Sequence, residues 1–216
     1  MKFNYLQKTY SGRCVLNVDS LELEKGRIYA VIGANGSGKS TLARICAGVL
    51  KADKGNVKSD CKIGYMPQNC YAFKMSTRKN LRINGKDRQR ENELLNYLKI
   101  SELAEERANR LSGGETARMA LGRLLMQDYE LIILDEPTAA MDIESTLLSE
   151  KLIMDYRKKT GCAVLIVTHS IAQAERMADE VLFMSEGILT EQGSPAELIH
   201  NPKNQKTREF IEFYSK

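Results

Sequence analysis

The run Gly33-Ala34-Asn35-Gly36-Ser37-Gly38-Lys39-Ser40 places glycines, a lysine and a hydroxyl at the spacing of a phosphate cradle. Glycines let the backbone curl so that successive N–H groups face one anion, and a helix starting near Gly38 adds its positive end to the same spot. In such a loop Lys39 reaches the β- and γ-phosphates of a nucleoside triphosphate, and the Ser40 hydroxyl ligates Mg²⁺. A second candidate is Leu131-Ile132-Ile133-Leu134-Asp135-Glu136-Pro137, an apolar strand that delivers two acids at its carboxyl end. Ligands of open α/β sheets bind there. Asp135 is placed to hold the hydration shell of Mg²⁺ and Glu136 to polarise an attacking water; an acidic turn after a core strand is the plainer alternative. A third is Leu111-Ser112-Gly113-Gly114-Glu115. Ser112 and Glu115 make an S-x-x-E capping box for a helix running to Met126. Capping alone does not call for two consecutive glycines, which weaken a first turn and leave its N–H groups open to an anion.

These residues need an α/β scaffold to position them. Three short apolar runs, Ile28 to Ile32, Leu131 to Leu134 and Ala163 to Val167, read as strands of a parallel sheet, each followed by a helical pattern. The first helix is expected over Thr41 to Val49. Such alternation marks an α/β core with right-handed crossovers. Phe3 to Tyr10 and Val15 to Leu23 read as a small antiparallel β region, broken by a hairpin-like turn at Ser11-Gly12. A polar, helix-rich insert over residues 71–109 carries Leu94, Leu95, Leu98 and Leu103 at helical spacing. The expected organisation is one domain, residues 1–216, with the core built from 1–70 and 110–216. The 71–109 insert forms a helical subdomain that continues into the helix after Ser112. Near the end come two short strands around Gly187, a helix start at Pro195 and a final amphipathic helix ending near Tyr214.

The chain has 216 residues and a formal charge of +4 with acids and bases interspersed, so a dedicated nucleic-acid binder is not implied. Its five cysteines, Cys14, Cys46, Cys61, Cys70 and Cys162, lack metal-ligand spacing, which argues against zinc and against a disulfide framework. A reduced, intracellular setting follows. No apolar run approaches the roughly 18 residues of a membrane span, so any membrane role must be exerted through a partner.

With its Leu111-Ser112-Gly113-Gly114-Glu115 signature the chain resembles the ATP-binding-cassette ATPase family, whose ordered motifs follow from Tyr10 to about Gly193. Tyr10 resembles the aromatic that stacks on adenine, with Tyr5 near enough to compete for that role. Gln68, in Ile63-Gly64-Tyr65-Met66-Pro67-Gln68, matches the glutamine that touches Mg²⁺ or its water beside the contact with a membrane domain. Ala139-Ala140-Met141-Asp142 matches the D-loop, and His169 matches the switch histidine at the γ-phosphate. The resemblance implies that ATP and Mg²⁺ are the cofactors. ATP would be held by Tyr10, Gly33, Asn35, Gly36, Ser37, Gly38, Lys39, Ser40 and Thr41, and Mg²⁺ by Ser40, Gln68 and Asp135. Catalysis would fall to Lys39, Gln68, Glu136 and His169. It further implies a head-to-tail homodimer in which Ser112, Gly113, Gly114 and Asp142 serve the ATP bound to the opposite chain. Glu136→Gln is expected to bind ATP and barely turn over.

The resemblance is nearest to importer subunits, and among these to tungstate or molybdate importers, partly through Leu134 to Thr146, LDEPTAAMDIEST. It implies integral permease subunits, an extracytoplasmic solute-binding protein, no nucleic acid, and a peripheral place on the cytoplasmic face of the membrane. Amino acid and phosphate importers share much of the pattern, and an exporter ATPase is a further alternative. Non-transport cassette ATPases fit less well: repair clamps interrupt the cassette with a coiled coil, and ribosomal factors fuse two cassettes. Two departures stand out. Gly122 replaces the usual Ala of the signature helix, with close packing as a candidate reason. The short insert carries a basic run, Lys74, Arg78, Lys79, Arg82, Lys86, Arg88 and Arg90, read as a solvated face or as a surface for a membrane partner.

Overall fold

The computed structural model describes residues 1–56 and 61–214. Strands β1 (Lys2–Tyr10) and β2 (Arg13–Glu22) pair antiparallel across Ser11 and Gly12, whose φ values of 49° and 80° make the expected hairpin turn. The chain continues through β3 (Ile28–Ile32), α1 (Lys39–Cys46), β4 (Lys54–Asn56), β5 (Ile63–Met66), α2 (Thr77–Leu81) and α3 (Arg88–Tyr97). Next come α4 (Gly113–Leu125), β6 (Leu131–Asp135), α5 (Ile143–Thr160), β7 (Ala163–Val167), α6 (Ile171–Met177), β8 (Glu180–Ser185), β9 (Ile188–Gly193) and α7 (Gln205–Tyr214). The strands form two sheets, β2-β1-β4 and β5-β6-β7-β3-β8-β9. The larger is parallel except for β9, which runs antiparallel to β8.

Every residue of β3, β6 and β7 is buried, the pattern of strands covered on both faces. Alternate side chains feed different cores. Ile28, Ile132, Leu134, Val164 and Ile166 pack with Leu121 of α4 and Ile153 of α5. Tyr29, Val31, Ile133, Leu165 and Val167 pack with Leu42 and Ile45 of α1 and with Leu6 and Leu16 of the smaller sheet. The functional consequence lies in the strand order: Met66 pairs with Leu134, Asp135 with Val167, and Val31 with Val167. The carboxyl ends of β5, β6, β7 and β3 therefore stand side by side, and the loops that follow them emerge along one rim.

The 71–109 segment is stapled at its ends, where the Thr77 N–H donates to the Glu106 carbonyl and the Ala108 N–H to that of Met75, each at 2.9 Å. Leu94, Leu95 and Leu98 are buried, as their spacing predicts, in the same cluster as α4 and the core strands. A Cβ on Gly122 would lie 3.0 Å from Leu98 Cδ1 and 3.5 Å from Leu81 Cδ2, so close packing accounts for the glycine. The basic run is not a uniformly solvated face. Arg78 and Arg82 both bond to the buried Glu91, Arg78 also bonds Glu105 at 2.7 Å, and Arg90 pairs with Asp128 at 2.8 Å. One element boundary differs from expectation: the first helix ends at Cys46 rather than Val49, because Gly48 turns the chain with φ 71°. Pro195 opens a single π-type turn, Ala196–His200, and the final amphipathic helix, Gln205–Tyr214, ends where expected.

Candidate functional site

Residues 33–38 curl between the end of β3 and the start of α1. Lys39 Nζ reaches back across this loop and donates to the carbonyls of Gly33 (2.8 Å) and Ala34 (2.9 Å). No side chain caps α1; Gly38 holds the cap position with φ 101°. That backbone conformation disfavours any residue with a Cβ, and a Cβ there would sit 2.8 Å from the Val15 carbonyl oxygen. The start of α1 thus keeps uncapped N–H groups, an anion-binding feature. Burial lowers the Lys39 pKa, opposed by the charges of Glu136 and Asp135.

The neighbouring strand ends bring the acids to this loop. Ser40 Oγ donates to Asp135 Oδ1 at 3.0 Å, and the Tyr65 hydroxyl donates to Oδ2 at 3.4 Å. Burial raises the Asp135 pKa, and the bond from Ser40 counters that effect. One residue on, Glu136 adopts φ 50°, a left-handed conformation unusual for a residue with a side chain. Its Oε2 receives Gln68 Nε2 at 3.3 Å and meets His169 Nδ1 at 3.0 Å. Two side chains distant in sequence, Gln68 and His169, converge on one oxygen of Glu136 because β5, β6 and β7 are adjacent.

Tyr10, Asn35, Gly36, Gly38, Lys39, Ser40, Thr41, Gln68 and Glu136 line one groove of about 560 Å³. Tyr10 stands at its mouth, 48% exposed. Tyr5 does not line this groove; an ideal Cβ on Gly55 of β4 would lie only 2.1 Å from its carbonyl oxygen, so the two backbones are in close contact. Gly33 and Ser37 do not line the groove; Gly33 lies against the Met184 backbone, and Ser37 accepts the Gly187 N–H at 3.0 Å through its carbonyl. Ser112, Gly113, Gly114 and Asp142 lie outside the groove. Ser112 caps α4 in a full capping box with Glu115, and a Cβ on Gly114 would lie 2.9 Å from the Ala140 carbonyl oxygen. The consecutive glycines therefore also have a packing reason. Asp142 caps α5, its Oδ1 accepting the Ser145 N–H at 2.7 Å.

Sequence reasoning missed Tyr65, Val15 and Gly187. Tyr65 looked like any strand aromatic, and Val15 contributes through its carbonyl, which no residue type announces.

The residues fit Mg²⁺. The Ser40 hydroxyl, the Asp135 carboxylate and the Gln68 amide are hard oxygen donors, and Mg²⁺ is commonly held by one or two carboxylates together with substrate phosphates. Among the described residues no cluster of three or more His, Cys, Asp or Glu could hold a metal by itself. A metal here would depend on the oxygens of a bound phosphate.

A largely parallel α/β sheet, an uncapped helix start behind a glycine loop and a carboxylate at the adjacent strand end are the features of a phosphate-loop nucleotide-binding fold. The ABC transporter family profile matches residues 16–139. The chain is 39% identical over 198 residues to the tungstate uptake system ATP-binding protein of Peptoclostridium acidaminophilum, covering 84% of this chain and 92% of that one. It is 35% identical over 203 residues to the zinc import ATP-binding protein of Vibrio vulnificus, covering 91% and 77%. A dimeric bacterial ABC transporter cassette superposes with a TM-score of 0.78 at 25% identity, over 90% of this chain and 98% of that one. The chain belongs to the ABC transporter family and is one of its ATPases. No described helix is long and apolar enough to cross a membrane.

Proposed function

We propose that this chain drives an importer for an oxyanion such as tungstate. Two copies would sit on the cytoplasmic face of an integral permease that is supplied by an extracytoplasmic solute-binding protein. The observation that carries the cargo is the identity with the tungstate uptake protein over nearly that protein's whole length. Zinc import is the second reading, favoured by the identity with the zinc relative.

In this reading Tyr10 receives the adenine and the 33–41 loop the phosphates of ATP. Lys39 exchanges its two neutral carbonyl partners for phosphate oxygens, an exchange favoured because a charged acceptor makes the stronger bond to an ammonium group. Ser40, Asp135 and Gln68 would hold Mg²⁺, which supplies charge neutralisation to the phosphates. Glu136 Oε2 takes the proton of the attacking water, with Gln68 and His169 fixing that oxygen. Ser112, Gly113, Gly114 and Asp142 do not line their own chain's groove and would serve the partner's nucleotide. The dimeric form of a structural relative supports that pairing.

The test is metal uptake in cells lacking this chain, restored with wild type or with Glu136→Gln, measured as cell-associated tungsten and zinc. Tungsten restored by wild type alone supports the oxyanion reading. Zinc restored in its place transfers the cargo to the second reading. If neither metal responds, and tagged Glu136→Gln retains ribosomal or chromosomal proteins without a permease, the importer reading fails.

A further inference from the structure

Gln173 lies in the first turn of α6, is 2% exposed, and belongs to none of the motifs above. Its Nε2 donates to Thr138 Oγ1 at 3.0 Å and to Glu150 Oε1 at 3.1 Å. Glu150, on α5, is equally buried, and Arg176 of α6 holds it with a two-pronged contact, Nε to Oε2 at 2.9 Å and a terminal nitrogen to Oε1 at 2.7 Å. A carboxylate gripped in that way cannot rotate. It fixes the Gln173 amide so that one N–H stays aimed at Thr138.

Both ends of this bridge abut the hydrolytic groups. Thr138 is two residues beyond Glu136, whose left-handed backbone persists only where its surroundings impose it. Glu136 is pinned on one side by its N–H to the Val167 carbonyl at 2.9 Å, and Thr138 accepts the Met141 N–H at 3.0 Å through its own carbonyl. On the other side, the Gln173 N–H donates to Ser170 Oγ at 3.2 Å, and the Ser170 N–H donates to Thr168 Oγ1 at 3.0 Å. The residues flanking His169 are thus tied to the same helical turn that carries Gln173. Glu136, Thr138, His169, Gln173 and Arg176 border one recess of about 190 Å³, and Glu136 lines both this recess and the groove of the phosphate loop.

We propose that Gln173 is a positioning residue for hydrolysis: by bridging Thr138 to the Glu150–Arg176 pair, it sets the Glu136 elbow against the His169 loop. The proposal rests on the reading of Glu136 as the base. Gln173 touches neither ATP nor the reacting atoms, so its loss lowers kcat and leaves nucleotide affinity in place.

The experiment is steady-state ATP hydrolysis by the full-length chain. Gln173→Met keeps volume and removes both donors, and Thr138→Val removes the acceptor with the same shape. Each removes the bond from Gln173 to Thr138 and is expected to lower kcat about three- to tenfold, the worth of that one hydrogen bond, with KM for ATP within about twofold. Thr138→Ser should retain wild-type kcat. The double variant should be no slower than the worse single, because both remove the same bridge. Multiplicative losses, a rise in KM matching the fall in kcat, or wild-type kcat in both singles overturns the proposal. If Gln173→Met does not fold, the contrast between Val and Ser at position 138 decides it. Glu136→Gln, run alongside, separates the claims. Turnover surviving there overturns the base reading and this proposal with it; turnover lost there but intact in the Gln173 and Thr138 variants overturns this proposal alone.

Discussion

Replacing Glu91 by Gln tests whether the arginines of the helical segment are structural. The Glu91 side chain is 1% exposed and is held by Arg78 and Arg82, which are 28% and 39% exposed. Glutamine preserves the volume, so no cavity forms; the charge is lost, and one of the two oxygens that accept from the arginines becomes an NH₂ donor. Removing one partner of a fully buried ion pair costs about 3–5 kcal/mol; here water reaches the arginines and recovers part of that, which leaves about 2–3 kcal/mol. For a chain of this size that corresponds to a fall in Tm of roughly 4–12 °C. Burial would raise the Glu91 pKa, but the bonds from Arg82 and Arg78 prevail and hold it below the usual carboxylate range. The unfolded chain therefore binds the proton more readily, and the stabilisation is present above the ordinary carboxylate pKa. It is lost as pH falls through the lower folded value. Thermal and urea unfolding followed by circular dichroism should show the full gap between wild type and Glu91→Gln from pH 7 to about pH 5, closing on further acidification. Glu105→Gln, at the solvent-facing end of Arg78, should leave the midpoint unchanged. A Glu91→Gln protein as stable as wild type at pH 7, or a gap indifferent to acid, refutes the reasoning.

Other substitutions follow from single contacts. Gly38→Ala forces an L side chain to φ 101° at about 1–2 kcal/mol before its overlap with the Val15 carbonyl is counted, and should weaken binding of a fluorescent ATP analogue at least tenfold; unchanged affinity contradicts the loop geometry. Asp142→Ala should lower the urea midpoint by uncapping α5, and Asp142→Asn should restore it; equal midpoints for the two would show that the cap is idle. Gly114→Ala should disturb folding more than Gly113→Ala, since the added Cβ meets the Ala140 carbonyl oxygen at 2.9 Å in the first case and the Ala140 Cβ at 3.6 Å in the second. The reverse order in urea unfolding would sink that argument.

The core strands and the phosphate loop were legible because each is a local signal: five buried residues in a row, or glycines bracketing a lysine. The small sheet's hairpin was legible for the same reason. The rim was not. Gln68, Glu136 and His169 meet through the order β5-β6-β7, and that order is set by crossovers spanning dozens of residues. β4, three residues long, has no periodicity to read. The basic run misled because a run of arginines looks alike whether water or a buried carboxylate receives it, and Glu91 gives no sign of burial in its own sequence context. Gln173 escaped notice because its partners, Thr138 and Glu150, come from two other segments.

The turn at Glu186 and Gly187 has a kinetic consequence. The Gly187 N–H donates to the Ser37 carbonyl at 3.0 Å, and the Asn17 N–H donates to the Gly187 carbonyl at 2.7 Å. A main-chain seam thereby ties the sheet that carries Tyr10 to the loop that carries Lys39. In the proposed reading base end and phosphate end would form one preassembled receptor, so an arriving nucleotide would find its two halves already in register and lose little entropy ordering them. Encounter should then be limited by diffusion and charge rather than by loop closure, leaving slow rearrangement to the parts of the molecule that lie outside that seam.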